Sequence, residues 1–254
     1  MRITTQFIVL LAALPLTAAA TACAQVTATN KASFEGIEEP TVRYLLSSDS
    51  FVSDSYTNIT DQGNNTIRFL LRYRPGDWWD GDRNTTNEDR QRAEVKGLGA
   101  HQKVAETFEY TTTWRSDANF KTTNHFCHIF QLKATNGDDG APLVVLSILN
   151  GTTAAVRYCS GTQSGFTVVR SFPWTRNTWQ TVRVRIKTSS STSSTGSIQV
   201  SVNSGSFQGV SGIKLYRTSS TDYRPKWGLY RGVDPSSALS DNWIEHKNVT
   251  AKKL

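Results

Sequence analysis

Three short stretches of the chain place polar side chains two residues apart. They read Arg92-x-Glu94-x-Lys96, Gln131-x-Lys133 and Lys226-x-Gly228-x-Tyr230. Residues two apart on a strand point to the same face, so each stretch predicts one polar row. Arginine, lysine and glutamine can bind a carboxylate, and a tyrosine phenol can donate or accept a proton. The rows therefore favour proton transfer on an acidic ligand.

The residues between these polar positions predict how the rows are held. Trp227 and Leu229 alternate with the last row, and Ala93 and Val95 alternate with the first. Alternation of this kind indicates a strand with one apolar and one polar face. We expect Gly228 to let a ligand approach the backbone. The alternative for each stretch is an ordinary strand with one solvated face.

The rest of the sequence predicts an all-β fold. About a dozen short alternating segments are separated by turn signals, with no helical periodicity after residue 24, which is typical of a β-jelly-roll sandwich of two antiparallel sheets. We expect one domain, 25–254, with a concave groove. Residues 1–24 read as a secretory signal peptide, with an apolar run from Phe7 to Leu16 and small residues at Ala22 and Ala24.

The charge pattern narrows the class of binding partner. The net charge is +7, yet no block of five Lys or Arg occurs, and the cations alternate with apolar residues. This favours a basic face on a sheet over a nucleic-acid-binding tail. We expect a secreted, extracellular monomer that binds neither nucleic acid nor a membrane. Outside the cell, the natural partner of a basic face is an acidic polysaccharide.

Secretion also bears on three further features of the sequence, which are its cysteines, its glycosylation sites and its possible calcium ligands. Cys127 and Cys159 remain after signal removal and predict a disulfide. Glu35 and Asp241 are oxygen donors that could hold a structural calcium ion, although the chemistry itself requires no cofactor. Five Asn-x-Ser/Thr sites predict surface glycans: Asn58, Asn64, Asn84, Asn150 and Asn248.

The three polar strands resemble the signature strands of jelly-roll polysaccharide lyases of the alginate-lyase type. That family reads Arg-x-Glu-x-Arg, Gln-x-His and Lys-x-Gly-x-Tyr in this order. Heparin-lyase-like and glucuronan-lyase-like relatives share its concanavalin A-like architecture. The resemblance implies β-elimination on a uronate polymer, glucuronan-like or alginate-like.

The resemblance also implies roles for the polar side chains. Tyr230 would protonate the departing O4, while Gln131 and Arg92 neutralise the substrate carboxylate. Positive charge from Lys133 and Lys226 would lower the pKa of Tyr230. The residues expected to bind substrate are Glu94, Lys96, Lys226 and His101.

One position departs from the family pattern, because Lys133 stands where the family has histidine. The base is therefore open: Tyr230 itself, Lys133, or a histidine from a neighbouring segment such as His101 or His125. On a regular strand His128 would face the core with Phe126 and Phe130.

Two other functions compete with the lyase. The missing histidine favours a non-catalytic carbohydrate-binding protein on the same fold. A glycoside hydrolase would need two carboxylates facing one groove, and Glu94 is the only one that the strand pattern supplies.

Overall fold

The chain forms a sandwich of two β-sheets. The computed structural model describes residues 34–38, 59–64, 66–72, 90–97, 101–123, 125–162, 165–233 and 239–254, and within these ranges there are strands and turns but no helix. None of the described residues belongs to a helix that could cross a membrane. The predicted signal peptide lies outside the described residues.

Sheet A carries the three polar stretches. Its strand order is β1-β4-β14-β7-β8-β9-β10, and the short β5 also pairs with β14. The bounds are β1 Phe34–Glu38, β4 Arg90–Gly97, β5 Gln102–Lys103, β7 Cys127–Ala134, β8 Val144–Ile148, β9 Thr153–Tyr158, β10 Thr167–Pro173 and β14 Asp222–Gly232.

Sheet B covers the apolar face of sheet A. Its strand order is β13-β12-β11-β6-β15-β3-β2. The bounds are β2 Ile59–Gly63, β3 Thr66–Leu71, β6 Thr107–Ser116, β11 Gln180–Lys187, β12 Gly196–Val202, β13 Gln208–Ile213 and β15 Asn242–Lys253. Every strand pairing is antiparallel, for example β11 with β6, so the predicted all-β sandwich is confirmed.

The core lies between the two sheets, as strand alternation requires. Phe130 and Trp227 of sheet A have ring centroids 5.8 Å apart, and Phe130 also meets Tyr110 of sheet B at 5.4 Å. Trp227 and Leu229 are buried here, as the sequence predicts. The polar rows therefore belong to the opposite, concave face of sheet A.

Two irregularities in the strand pairing change which residues reach that concave face. Lys226 pairs with Gln131, but Tyr230 pairs with His128, so β14 contains one extra residue between these points. In the pairing of β7 with β8, Phe130 lies opposite Leu146 and His128 opposite Ser147, so β7 also contains an extra residue. An extra residue in one strand reverses the alternation beyond it.

The prediction that His128 faces the core is therefore wrong. Phe130 keeps its place in the core, whereas the β7 bulge turns His128 to the concave face beside Tyr230. His128 contacts Tyr230 and Phe166 rather than the aromatic rings of the core.

Gly228 lies at the β14 irregularity and has a different neighbour from the one expected. Its φ is 146°, a backbone conformation that residues with a side chain rarely adopt. A Cβ added there would lie 2.1 Å from the carbonyl oxygen of Ala93 and 2.7 Å from Cα of Glu94. The space at Gly228 is thus taken by strand β4 and not by a ligand.

The predicted Cys127–Cys159 disulfide is also wrong, since the two buried cysteines are not bonded to each other. Cys159 is hydrogen-bonded to Leu143, which in turn is hydrogen-bonded to Leu132. Cys159 is therefore level with Leu132, five residues along β7 from Cys127, or about 16 Å at the rise of a strand. A disulfide needs Cα atoms within about 7 Å.

The predicted glycosylation sites divide between two groups. Asn64, Asn150 and Asn248 are exposed, and Asn64 and Asn248 occupy positive-φ positions typical of turns and bulges. Asn58 and Asn84 lie outside the described residues. Glycan attachment stays a prediction.

Candidate active site

Four polar residues lie side by side across neighbouring strands of the concave face. The pairing sequence is Arg92, Tyr230, His128 and Ser147 on β4, β14, β7 and β8. The Arg92 guanidinium carbon is 4.1 Å from the centroid of the Tyr230 ring. The rings of Tyr230 and His128 are 6.1 Å apart. We call these four residues the catalytic row.

Aromatic packing fixes the two ring side chains of this row. Phe126 lies 4.7 Å from the Tyr230 ring and 5.0 Å from the His128 ring, centroid to centroid. Tyr230 keeps 8% of its surface exposed and Arg92 also keeps 8%. The row is thus a nearly buried floor with restricted side-chain rotation.

His128 is held as a neutral imidazole. Its Nδ1 is 2.9 Å from the Ser147 hydroxyl oxygen. Burial, assisted by the positive charge of Arg157, lowers the pKa of His128 to about 3. A neutral ring carries one unprotonated nitrogen, so His128 has an atom that can accept a proton.

A buried carboxylate organises the adjacent cations. Glu94 has no exposed surface. Its carboxylate accepts a hydrogen bond from the Gln131 amide, and one oxygen lies 3.5 Å from Nη1 of Arg92 and 3.9 Å from Nζ of Lys226. Glu94 was expected to bind substrate, but its burial and contacts fit a residue that positions Arg92, Gln131 and Lys226.

The other predicted site residues lie elsewhere on sheet A. Lys133 pairs with Arg224, five residues along β7 from His128. His101 lies 2.9 Å from the carboxylate of Asp222, beyond Arg224 on β14. Lys96 pairs with Lys226 in the backbone, but its side chain lies outside the described part of the structure. Neither Lys133 nor His101 joins the catalytic row.

The remaining two histidines are placed differently. His125 is exposed and packs near Gly232. His246 on β15 is buried between the sheets, with Nδ1 2.8 Å from the Thr112 hydroxyl and Nε2 3.3 Å from the Gly228 carbonyl oxygen. His246 therefore contacts the backbone of β14 at its irregularity, on the core side of sheet A.

The predicted calcium ligands gain no support from the described residues. Asp241 is exposed just before β15, and the side chain of Glu35 on β1 falls outside the described part. No group of three His, Cys, Asp or Glu side chains suited to a metal occurs among the residues that the structure describes. Calcium binding stays a prediction.

Sequence reasoning missed His128 although one signal for it was present. A glycine inside a strand often marks a bulge, and Gly228 marks the one in β14. The second bulge, at Ile129, has no glycine or proline beside it. Regular alternation therefore assigned His128 to the wrong face.

Comparison with known proteins agrees with the fold of this chain. No curated protein sequence matches the chain. Among solved structures, an endo-β-1,4-glucuronan lyase from the fungus Trichoderma reesei is similar at a TM-score of 0.60 and 14% identity, covering 87% of this chain and 96% of that one. The alginate lyase PA1167 from Pseudomonas aeruginosa is similar at 0.54 and 16%, covering 88% and 99%.

A third similar structure is an alginate lyase from Aplysia kurodai, at a TM-score of 0.51 and 13% identity, covering 74% of this chain and 83% of that one. At such identities the likeness shows the jelly-roll fold. The family itself comes from a sequence model described as polysaccharide lyase, which matches residues 38–248. This chain therefore belongs to the polysaccharide lyase family.

Proposed function

We propose that this lyase cleaves a uronate-containing polysaccharide by β-elimination, with Tyr230 and His128 as its proton-transfer pair. The observation that carries the proposal is the catalytic row: a neutral imidazole and a phenol lie on adjacent strands, with a guanidinium over the phenol ring. The two rings are close enough for both to reach one sugar of a chain bound on this face.

The proton transfers balance without a cofactor. His128 accepts the C5 proton, the released electron pair forms the C4–C5 double bond, and the bond from C4 to the glycosidic oxygen breaks. Tyr230 donates its phenolic proton to that departing oxygen. The Arg92 cation beside the ring stabilises the phenolate that remains. Solvent then returns the protons to their starting places.

The C5 proton becomes acidic enough only when the neighbouring carboxylate is neutralised. Arg92 belongs to the row, and the donors Gln131 and Lys226 contact the same glutamate, Glu94, as Arg92 does. Because Glu94 holds all three, we infer that it fixes their directions before substrate binds. Such preorganised donors supply a large part of the rate enhancement in many enzymes.

The acidic class of substrate follows from this chemistry and from the basic floor. The similar structures are described as glucuronan and alginate lyases, which supports a glucuronan-like or alginate-like polymer. We also propose that the protein is secreted and acts as a monomer. The binding-only alternative rested on the missing histidine, and His128 on the concave face removes that reason.

The test is ultraviolet absorbance while purified protein is mixed in turn with glucuronan, alginate, heparin and pectate. β-Elimination creates an unsaturated uronate that absorbs, whereas hydrolysis and binding do not. We expect a rise with one polymer that Tyr230→Phe abolishes. Absence of a rise with all four, or full activity of the Phe variant, would overturn the proposal.

A further inference from the structure

We propose that Arg157 and Phe166 form a carboxylate-binding subsite, which holds a second uronate of the bound chain beyond the one being cleaved. The inference rests on the proposed function and extends it along the groove. Nothing in the three signature strands points to either residue, because Arg157 lies on β9 and Phe166 precedes β10.

The register places Arg157 on the concave face. Gln131 pairs with Val145, and Val145 pairs with Arg157. Directly opposite residues of neighbouring strands share a face, so Arg157 continues the row of Lys226 and Gln131. Its chain neighbour Val156 is fully buried in the core on the other face. Arg157 therefore lies two strands, or about 10 Å, from Gln131.

Aromatic contacts connect this position to the catalytic row. The Arg157 guanidinium carbon is 5.0 Å from the centroid of the Phe166 ring, and that ring is 5.7 Å from the His128 ring. Phe166 is half-buried. It thus presents an apolar surface for a sugar ring between Arg157 and the reacting centre.

Arg157 differs from several other arginines because no carboxylate offsets its charge among the described residues. Arg68, Arg115 and Arg183 each donate to a carboxylate. By contrast, Arg157 makes no hydrogen bond or ion pair with any residue that the structure describes, and its Nε is buried without an acceptor. Burial also lowers the pKa of Arg157.

A half-buried cation without an acceptor has lost hydration without a replacement. Stacking on Phe166 offsets part of that cost. A carboxylate would offset more, because a guanidinium binds a carboxylate through two parallel hydrogen bonds. The groove face of β9 is thus prepared for an anion that arrives with the substrate.

The experiment compares Arg157→Gln and Arg157→Lys with wild type on the polymer that wild type cleaves. We expect Arg157→Gln to raise KM roughly tenfold or more, the effect of losing one charge-assisted interaction, with kcat within about twofold. Arg157→Lys keeps the positive charge but loses the two parallel N–H donors of the guanidinium. Its KM should therefore lie between that of wild type and that of Arg157→Gln. Arg183→Gln is the control, because it removes the same charge from the outer face of sheet B.

Two further readouts separate binding from folding. In the Tyr230→Phe background, calorimetry should show that Arg157→Gln weakens binding of an oligouronate but not of the same oligomer with its carboxylates reduced to alcohols. In the active protein, removal of Arg157 should move the acid limb of kcat/KM to higher pH, since the pKa of His128 is then less depressed.

The outcomes distinguish the two proposals. A wild type that cleaves no uronate polymer overturns the proposed function and the subsite together. An active wild type with an unchanged KM in Arg157→Gln overturns the subsite alone. A lower kcat at unchanged KM, or equal losses for acidic and reduced oligomers, would assign Arg157 a structural role and also overturn it.

Discussion

His128 and Tyr230 lie on the same floor, yet their surroundings prepare them for opposite proton transfers. Burial and the charge of Arg157 keep His128 neutral, so one ring nitrogen is unprotonated. Tyr230 lies under the Arg92 cation, which suits loss of one. At this scale function depends on which charges neighbour each ring and not on the ring types alone.

We predict that His128→Asn lowers kcat by about 10²- to 10⁴-fold, the usual contribution of a positioned acid or base, with a small change in KM. Initial rates on the cleaved polymer measure this. His101→Asn is the matched control, because His101 pairs with Asp222 away from the catalytic row. A large loss in the control, with His128→Asn near wild type, would contradict the assignment.

Glu94→Gln should reveal how much the buried charge cluster depends on its carboxylate. The amide leaves Arg92 and Lys226 buried without the opposing charge, so we expect a loss of about 3–5 kcal/mol in the free energy of unfolding. Glu109→Gln removes a carboxylate whose partners Arg183 and Arg185 are more than a third exposed, and should cost about 1 kcal/mol or less. Urea denaturation compares the two. Equal losses would refute the distinction.

At the scale of elements, strand β14 is the piece on which the site depends, since it pairs with β4 and β7 and carries Tyr230 and Lys226. Gly228 lets β4 approach it closely. We predict that Gly228→Ala destabilises the protein by at least about 2 kcal/mol, through a steric clash and an unfavourable φ.

The matched control for that substitution is Gly165→Ala, because a Cβ at Gly165 would meet no atom within 4 Å. Its effect should stay within about 0.5 kcal/mol. Thermal unfolding of both variants measures the difference. A Gly228→Ala protein as stable as the control would show that β4 and β14 are not so closely packed.

His246 links the two sheets through the backbone of β14 and makes stability sensitive to acid. Burial lowers the pKa of folded His246 from 6.5 to about 4. Below pH 6.5 the unfolded chain takes up a proton that the folded chain excludes, so the free energy of unfolding falls until about pH 4. The full contribution is about 3 kcal/mol, and His128 acts in the same direction.

Urea denaturation between pH 4 and 7 measures this dependence. His246→Gln keeps hydrogen-bonding capacity for Thr112 and Gly228 but cannot titrate, so its stability should change less with pH than that of wild type. Parallel pH curves for the two proteins would show that His246 does not exclude the proton.

The sequence was sufficient for the strands but not for their register. Alternation located β4, β7 and β14 and the core positions Trp227 and Leu229, because the period of a strand is a local property. The facing of His128 depends on two bulges, which form where strands β14, β7 and β8 must fit together. Arg157 was missed for a related reason: its position opposite Val145 is set by pairing between distant segments.

At the scale of the whole molecule, stability comes from the apolar layer between the sheets, and no disulfide joins the two cysteines of the described residues. We predict that a reducing agent leaves Tm unchanged and that both thiols react once the protein is unfolded. Removal of a native disulfide from a small domain would cost about 2–5 kcal/mol. A clear fall in Tm on reduction would contradict a structure in which Cys127 and Cys159 are not joined.

Four arginines on the outer face of sheet B contact two carboxylates. Glu245 is buried between Arg68 and Arg115, and Glu109 accepts from Arg183 and Arg185. Arg157, on sheet A, has no such partner among the described residues. Arg157 is therefore more available to an acidic polymer than these paired arginines.

The bulge in β7 has a consequence for how relatives of this protein are compared. In a strand with one extra residue, the alternation of side chains between the two faces reverses at the bulge. A reacting imidazole can therefore move along such a strand by an odd number of positions and still point into the same cleft. Equivalent residues in such proteins are then found by superposing their sheets. A search by motif spacing alone will overlook a histidine that lies on the other side of a bulge.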